Sequence, residues 1–229
     1  MANKNTIQYI FLHLDGVILE NILAPITRNI IKKLGGEYTA EVENNIFARS
    51  QIHAANYLKQ TLNLSHSLEE IIQLYYSERK KYESENSIRL NDGLEDLLKL
   101  LKSSGYKIVS YGGAPKDYFL KNINGFLNYF DDEKYIQTKD IRPGVKEITQ
   151  GIYNLRFQEV LFIDEERTVA EAAKHYNAPF IGVASNHEYS FQKMEMEKIK
   201  VRYIVNSLSE INTMLLSKIE IETKLNLVW

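Results

Sequence analysis

Residues 7–16 read IQYIFLHLDG, a short apolar run that ends in an Asp-Gly pair. An apolar run of this length without helical spacing is typical of a buried strand, and Asp-Gly is typical of a turn. The stretch therefore predicts a first core strand, with His13 and Asp15 at its C-terminal end.

Beyond residue 88 the chain alternates between helical and strand patterns. The helix pattern LEDLLKLLKSSG ends at Gly105 as a C-cap, and the strand pattern YKIVSYGG follows it. Further strands are predicted at 160–163, 179–183 and 203–205, and helices at 116–123, 143–155, 170–176 and 208–216. This alternation predicts an α/β fold, a doubly wound parallel sheet with right-handed crossovers. Such sheets bind ligands at the C-terminal ends of their strands.

Residues 19–87 show a different pattern. Apolar side chains recur at helical spacing, as in Ile26, Ile30 and Ile31. The sequence therefore predicts an α/β core formed by residues 1–18 and 88–229, and an inserted all-helical cap at 19–87.

The last segment, KIEIETKLNLVW at 218–229, alternates apolar and polar residues with a period of two. This pattern predicts an additional edge strand. Packing on its own domain is favoured over pairing with a strand of a partner protein.

Composition excludes several function classes. The 229 residues carry a net charge of -2, which provides no basic surface for nucleic acid. Cysteine is absent, so disulfides and thiolate chemistry are excluded. No apolar run reaches membrane-spanning length, and the N-terminal stretch lacks the features of a signal peptide. We therefore expect a cytoplasmic protein without membrane contact.

Three stretches carry a family resemblance. IFLHLDGV at 10–17 resembles the first motif of the haloacid dehalogenase-like superfamily, an apolar strand followed by Asp-x-Asp-Gly. Residues 88–111 and 161–183 resemble the segments around its second and fourth motifs, and the insert lies where the cap lies in its cap-bearing, phosphatase-type subfamily. The resemblance implies phosphatase chemistry, in which an Asp attacks phosphorus while Mg²⁺ bridges the reacting groups.

The first motif departs from the family pattern at its nucleophile. His13 stands where the family has its attacking Asp, and Asp15 is retained two residues later. By resemblance Asp15 is the general acid and base. A carboxylate after a strand also caps turns, so both interpretations of Asp15 stay open.

The phosphate-binding motifs depart from the family pattern too. Gly112 stands where the resemblance expects a Ser or Thr, although Gly112 and Gly113 could form an anion-binding backbone nest instead of a simple turn. Counting back from Pro143 to the expected Lys reaches Asp140. Lys139 lies next to it and either substitutes for the missing cation or is simply solvated.

In the fourth motif, Glu165 aligns with the main metal-binding Asp, Asp164 precedes it, and Val169 replaces a later acidic residue. Magnesium selects oxygen ligands, so His13 is a poor ligand for it. We expect Mg²⁺ binding to be weak or absent.

Together these substitutions predict a pseudo-phosphatase that keeps the fold to bind a small phosphorylated molecule or a protein partner. The alternative is a divergent Mg²⁺-dependent phosphatase acting on a small phosphorylated metabolite, through His13 or a shifted motif.

Overall fold

A computed structural model describes residues 5–229, so residues 1–4 of the predicted core lie outside the described residues. Six parallel strands form one sheet in the order β3-β2-β1-β4-β5-β6. They are β1 (Tyr9–His13), β2 (Lys107–Gly112), β3 (Tyr135–Gln137), β4 (Val160–Asp164), β5 (Phe180–Val183) and β6 (Ile204–Val205). Because β1 is central and the chain winds outward from it in both directions, the predicted doubly wound α/β fold is confirmed.

Helices cover the sheet and fill the insert. The four in the insert are α1 (Leu23–Lys33), α2 (Ala40–Ile46), α3 (Gln51–Thr61) and α4 (Leu68–Glu85). The core helices are α5 (Leu94–Ser103), α6 (Lys116–Asn122), α7 (Arg167–His175), α8 (Gln192–Lys198) and α9 (Thr213–Lys224). Short 3₁₀ turns lie at Asn124–Tyr129, Phe157–Glu159 and Leu208–Glu210, and a π-helical turn at Glu147–Ile152. Within residues 5–229, none of the helices combines the length and apolarity that crossing a membrane requires.

The apolar run of β1 follows from burial on both faces of the sheet. Ile10 and Leu12 pack into the hydrophobic cluster on one face, and Phe11 packs into the cluster on the other. Parallel sheets covered by helices on both sides produce such unbroken apolar strands.

The insert has its own small hydrophobic cluster and well-formed helix starts. Its buried members come from α1 to α4 and include Ile31, Leu58 and Ile71. A capping box begins α4, in which the Ser67 hydroxyl accepts from the Glu70 N–H and the Glu70 carboxylate accepts from the Ser67 N–H.

The edge strand predicted at the C-terminus is wrong, because most of that segment belongs to α9. Asn212 caps this helix by accepting a hydrogen bond from the Leu215 N–H at 3.0 Å. The buried side chains Leu216, Ile219 and Thr223 recur at helical spacing. The segment does pack on its own domain, since Leu216 and Ile219 join the core cluster.

Two other boundaries differ from the sequence prediction. Strand β3 was missed, because it has only three residues and offers too short a pattern. The helix predicted over 143–155 is a π-helical turn of six residues, Glu147–Ile152. Neither difference changes which strand ends form the site.

Candidate functional site

The sheet register brings three polar side chains together at its C-terminal edge. His13 pairs with Tyr111 of β2, and Leu12 pairs with Ile163 of β4, so the next position places His13 beside Asp164. Side chains alternate along strands, which puts these three on one face. Their closeness is therefore a consequence of the fold.

Asp164 is held firmly, whereas the facing ring nitrogen of His13 is not. The Tyr111 hydroxyl donates to Asp164 Oδ2, and the Glu166 N–H donates to Oδ1 at 2.8 Å. His13 Nδ1 lies 3.7 Å from Asp164 Oδ1, which is too long for a hydrogen bond, and it has no hydrogen-bond partner among residues 5–229.

Burial shifts the pKa values of the ionisable side chains at this edge of the sheet. It raises the pKa of Asp164 to about 7, although the Tyr111 hydrogen bond opposes the shift. It also raises the pKa of Glu166 to about 7, and nearby His13 only partly offsets this. The pKa of His13 is lowered, again because burial disfavours the charged ring. Each side chain is thus biased towards its neutral form.

Glu165 and Glu166 point to different places. The Glu165 carboxylate accepts a hydrogen bond from Asn21 Nδ2 at 2.8 Å and fills the space that a Cβ on Gly16 would occupy. Burial raises the pKa of Glu165 well above its usual value.

The candidate ligand atoms of His13, Asp164 and Glu166 all lie within 4.8 Å of one another. The structure therefore groups Glu166, and not the predicted Glu165, with these two residues.

Asp15 links the core to the insert. Its Oδ2 lies 3.8 Å from Nη1 of Arg79 on α4, while its Oδ1 is buried without a partner among the described residues. Arg79 also donates to Glu83 at 2.7 Å and stacks 4.7 Å above the Tyr118 ring. Among residues 5–229 the Asp15 side chain makes no hydrogen bond to its own turn, so the turn-capping interpretation has no contact to support it.

The predicted phosphate-binding positions lie beside a cation that sequence reasoning missed. Gly113 and Lys139 line the cavity together with Arg142, whose guanidinium occupies the space of a Gly113 side chain. Gly112 faces His13, since a Cβ there would lie 3.6 Å from Nε2. Arg142 lies directly before Pro143 in the sequence. The family spacing places the cation three residues before the proline, at Asp140, and therefore does not point to Arg142.

A cavity of about 210 Å³ lies between the core and the insert. Its floor is lined by ionisable side chains, namely His13, Asp15, Lys139, Arg142 and Glu166. Its roof is mostly apolar and comes from the insert, including Leu23, Ile30, Leu58, Ile71, Ile72 and Tyr75. An apolar pocket with a few convergent polar groups is the usual form of a small-molecule site.

The magnesium ion implied by the resemblance fits this floor poorly. Mg²⁺ requires near-octahedral oxygen ligands, whereas the clustered donors combine an imidazole nitrogen with two carboxylates. The residues present therefore do not form a suitable Mg²⁺ site.

No protein-family model matches the sequence, and no curated protein matches it significantly. Solved structures do resemble the chain. β-Phosphoglucomutase from Clostridium difficile superimposes with a TM-score of 0.70 at 18% identity, covering 96% of this chain and 99% of that one. A HAD hydrolase of family IA, variant 3, from Entamoeba histolytica gives 0.68 at 14% identity, covering 93% and 99%.

A predicted phosphoglycolate phosphatase from Haemophilus somnus gives a TM-score of 0.65 at 15% identity, covering 94% of this chain and 100% of that one. At these identities the likeness establishes the fold. The chain has the fold of the haloacid dehalogenase-like hydrolases, as its motifs predicted.

Proposed function

We propose that the protein is a pseudo-phosphatase that binds a small phosphorylated molecule between core and cap without hydrolysing it. One observation carries the proposal: the end of β1, where the fold's nucleophilic carboxylate is expected, presents the imidazole of His13 to the cavity. An imidazole cannot form an aspartyl-phosphate, so the usual covalent route is lost.

Binding of an anion is supported by the cations at the cavity. Arg142 and Lys139 lie on the core side, and Arg79 reaches in from α4. Guanidinium groups recognise phosphate well, because they offer several N–H donors in a planar fork. The backbone at Gly113 lies beside Arg142 and is open to the cavity.

The neighbouring carboxylates are poor substitutes for the missing nucleophile. Asp164 is engaged by Tyr111 and by the Glu166 N–H, and Asp15 faces Arg79. β-Phosphoglucomutase and phosphoglycolate phosphatase are named for small phosphorylated compounds. That class is the ligand class we propose for this cavity.

The test compares the wild-type protein with His13→Asp. Wild-type protein should bind inorganic phosphate in isothermal titration but hydrolyse none of a broad panel of phosphate esters with Mg²⁺. His13→Asp should gain hydrolysis, because it restores a carboxylate at the end of β1. Turnover by the wild-type protein that Asp15→Asn abolishes would contradict the proposal.

A second candidate is a divergent phosphatase that uses His13 as nucleophile, favoured by the exposure of both His13 and Asp15 to the same cavity. An imidazole nitrogen would attack phosphorus as the bond to the leaving oxygen breaks, and Asp15 would protonate that oxygen. Water, losing its proton to Asp15, would then release phosphate and the free ring. Trapping of an acid-labile phosphohistidine, absent from His13→Ala, would support this route over the first.

A further inference from the structure

The three clustered side chains form a compact donor set on two adjacent strands. His13 ends β1, Asp164 ends β4, and Glu166 follows two residues later. Their candidate ligand atoms lie within 4.8 Å of one another, and the three residues are 6%, 0% and 2% exposed. The main chain of paired strands thus fixes two of the three donors.

In the part of the chain that the structure describes, two buried atoms of these residues have no hydrogen-bond partner, namely His13 Nδ1 and Glu166 Oε1. Leaving such an atom unsatisfied is unfavourable, because it loses its hydrogen bonds to water on burial and gains none in return. Both belong to the same cluster, so one bound cation would satisfy both. This observation is independent of the clustering, and it points to a ligand.

The spacing suits ligands of one ion better than a direct contact. His13 Nδ1 and Asp164 Oδ1 are 3.7 Å apart. Two ligands about 2.0–2.2 Å from the same ion lie about 3–4.4 Å apart, depending on the angle between them. The observed separation falls inside that range, whereas it exceeds the length of a hydrogen bond.

Asp164 also has the supporting contacts typical of a metal ligand. Tyr111 donates to one of its oxygens and the Glu166 N–H to the other. A carboxylate oxygen with one donor retains a lone pair for a metal. Hydrogen-bonded outer partners of this kind orient ligands and tune their affinity.

The donor types select the metal. One imidazole nitrogen and two carboxylates suit borderline transition-metal dications, whereas Mg²⁺ prefers oxygen alone. We propose that His13, Asp164 and Glu166 bind such a dication, Zn²⁺, and that Glu165 is not a ligand. The inference goes beyond the proposed function, because an ion can be held whether or not a phosphate ester is hydrolysed.

The experiment titrates the EDTA-treated 229-residue chain with Zn²⁺, Mn²⁺ and Mg²⁺ by calorimetry, and with Co²⁺ by visible absorption. We expect one site, with Zn²⁺ at least about 100-fold tighter than Mg²⁺ and Mn²⁺ weaker than Zn²⁺. His13→Ala and Glu166→Gln should each weaken binding at least about 100-fold, since outer partners alone account for about 10–100-fold. His13→Ala should also abolish the Co²⁺ bands.

Two matched variants make the test specific. Glu165→Gln changes the adjacent carboxylate, and His53→Ala removes an exposed histidine of α3, so both should bind within a few-fold of wild type. Circular dichroism checks folding, and His13→Asn is the milder replacement if His13→Ala does not fold. Three results would each overturn the proposal. They are equal affinity for Mg²⁺ and Zn²⁺, an equal loss of Zn²⁺ affinity in Glu165→Gln and Glu166→Gln, and Zn²⁺ binding that persists in folded His13 variants. Hydrolysis is measured separately, so this outcome is independent of the proposed function.

Discussion

The guanidinium of Arg142 lies in the space where a side chain on Gly113 would be. Position 113 therefore has to be glycine for Arg142 to reach the cavity floor, and the two residues form one unit beside His13. The chain lacks the cation expected at position 140, and Arg142 is the guanidinium that the loop supplies instead.

Gly113→Ala should displace Arg142 and weaken phosphate binding about tenfold, as expected for the loss of one charge-assisted hydrogen bond. Isothermal titration with inorganic phosphate measures the effect. Gly125→Ala is the matched control, because nothing lies within 4 Å of the added methyl group there. Equal affinities in the two variants would show that Arg142 does not contact the anion.

Gly16→Ala should destabilise the fold more than Gly35→Ala. Both glycines have positive φ, +89° and +77°, so each substitution costs about 1–2 kcal/mol of backbone strain. Only at Gly16 does the new methyl group overlap the Glu165 carboxylate, which should add about 1–3 kcal/mol. Urea denaturation of the two variants gives the comparison, and equal losses would refute the close packing.

Asp15 and Arg79 should be coupled across the boundary between core and insert. A double-mutant cycle with Asp15→Asn and Arg79→Gln should give a coupling energy of about 1–2 kcal/mol, because both side chains are largely buried. Lys81 and Glu85 of α4 are the matched control, since they lie at the same 3.8 Å but are more than half exposed. Their cycle should give a coupling energy of at most about 0.5 kcal/mol, as exposed pairs one helical turn apart do.

The pKa of Glu166 predicts how stability changes with pH. Its folded value of about 7 exceeds the usual 4.5, so the folded state holds an extra proton between these values. The contribution of this proton to the free energy of unfolding is fully present below pH 4.5, and it is lost as the pH rises through 7.

In chelator, Glu166→Gln should therefore match wild type near pH 4.5 and exceed its stability by roughly 1–3 kcal/mol at pH 8. Melting temperatures across this range measure the difference. Glu69→Gln, at an exposed position of α4, should follow the wild-type curve. A Glu166→Gln curve parallel to that of wild type would contradict the assigned burial.

The sheet was predictable from sequence because its strands are buried on both faces, which makes them continuous apolar runs, and because turns separate them from the helices. This pattern of apolar runs ending at turns is visible in the segments at 7–16, 107–112 and 160–164. The C-terminal helix was not found, because Ile219 and Ile221 mimic strand alternation while the cap at Asn212 precedes the alternating segment. Short windows cannot distinguish the two periods.

The site was predictable only in part, for a geometric reason. Positions 13, 15 and 164 follow from strand ends, which the pattern locates. The choice between Glu165 and Glu166 depends on how the chain turns after β4, and the reach of Arg142 depends on a contact with Gly113. Neither the turn nor the contact has a periodic signature in the sequence.

Asn21 makes hydrogen bonds at the start of the insert, both within the insert and to the core. Its side chain donates to Glu165 and accepts from the Ala24 N–H at 2.9 Å, and its carbonyl accepts from His187 Nε2 at 2.8 Å. The start of α1 is thereby hydrogen-bonded to the loops that follow β4 and β5. Glu43 of α2 makes a second connection to the core by accepting a hydrogen bond from the Phe191 N–H at 2.9 Å, so the insert that roofs the cavity is fastened at two separate places.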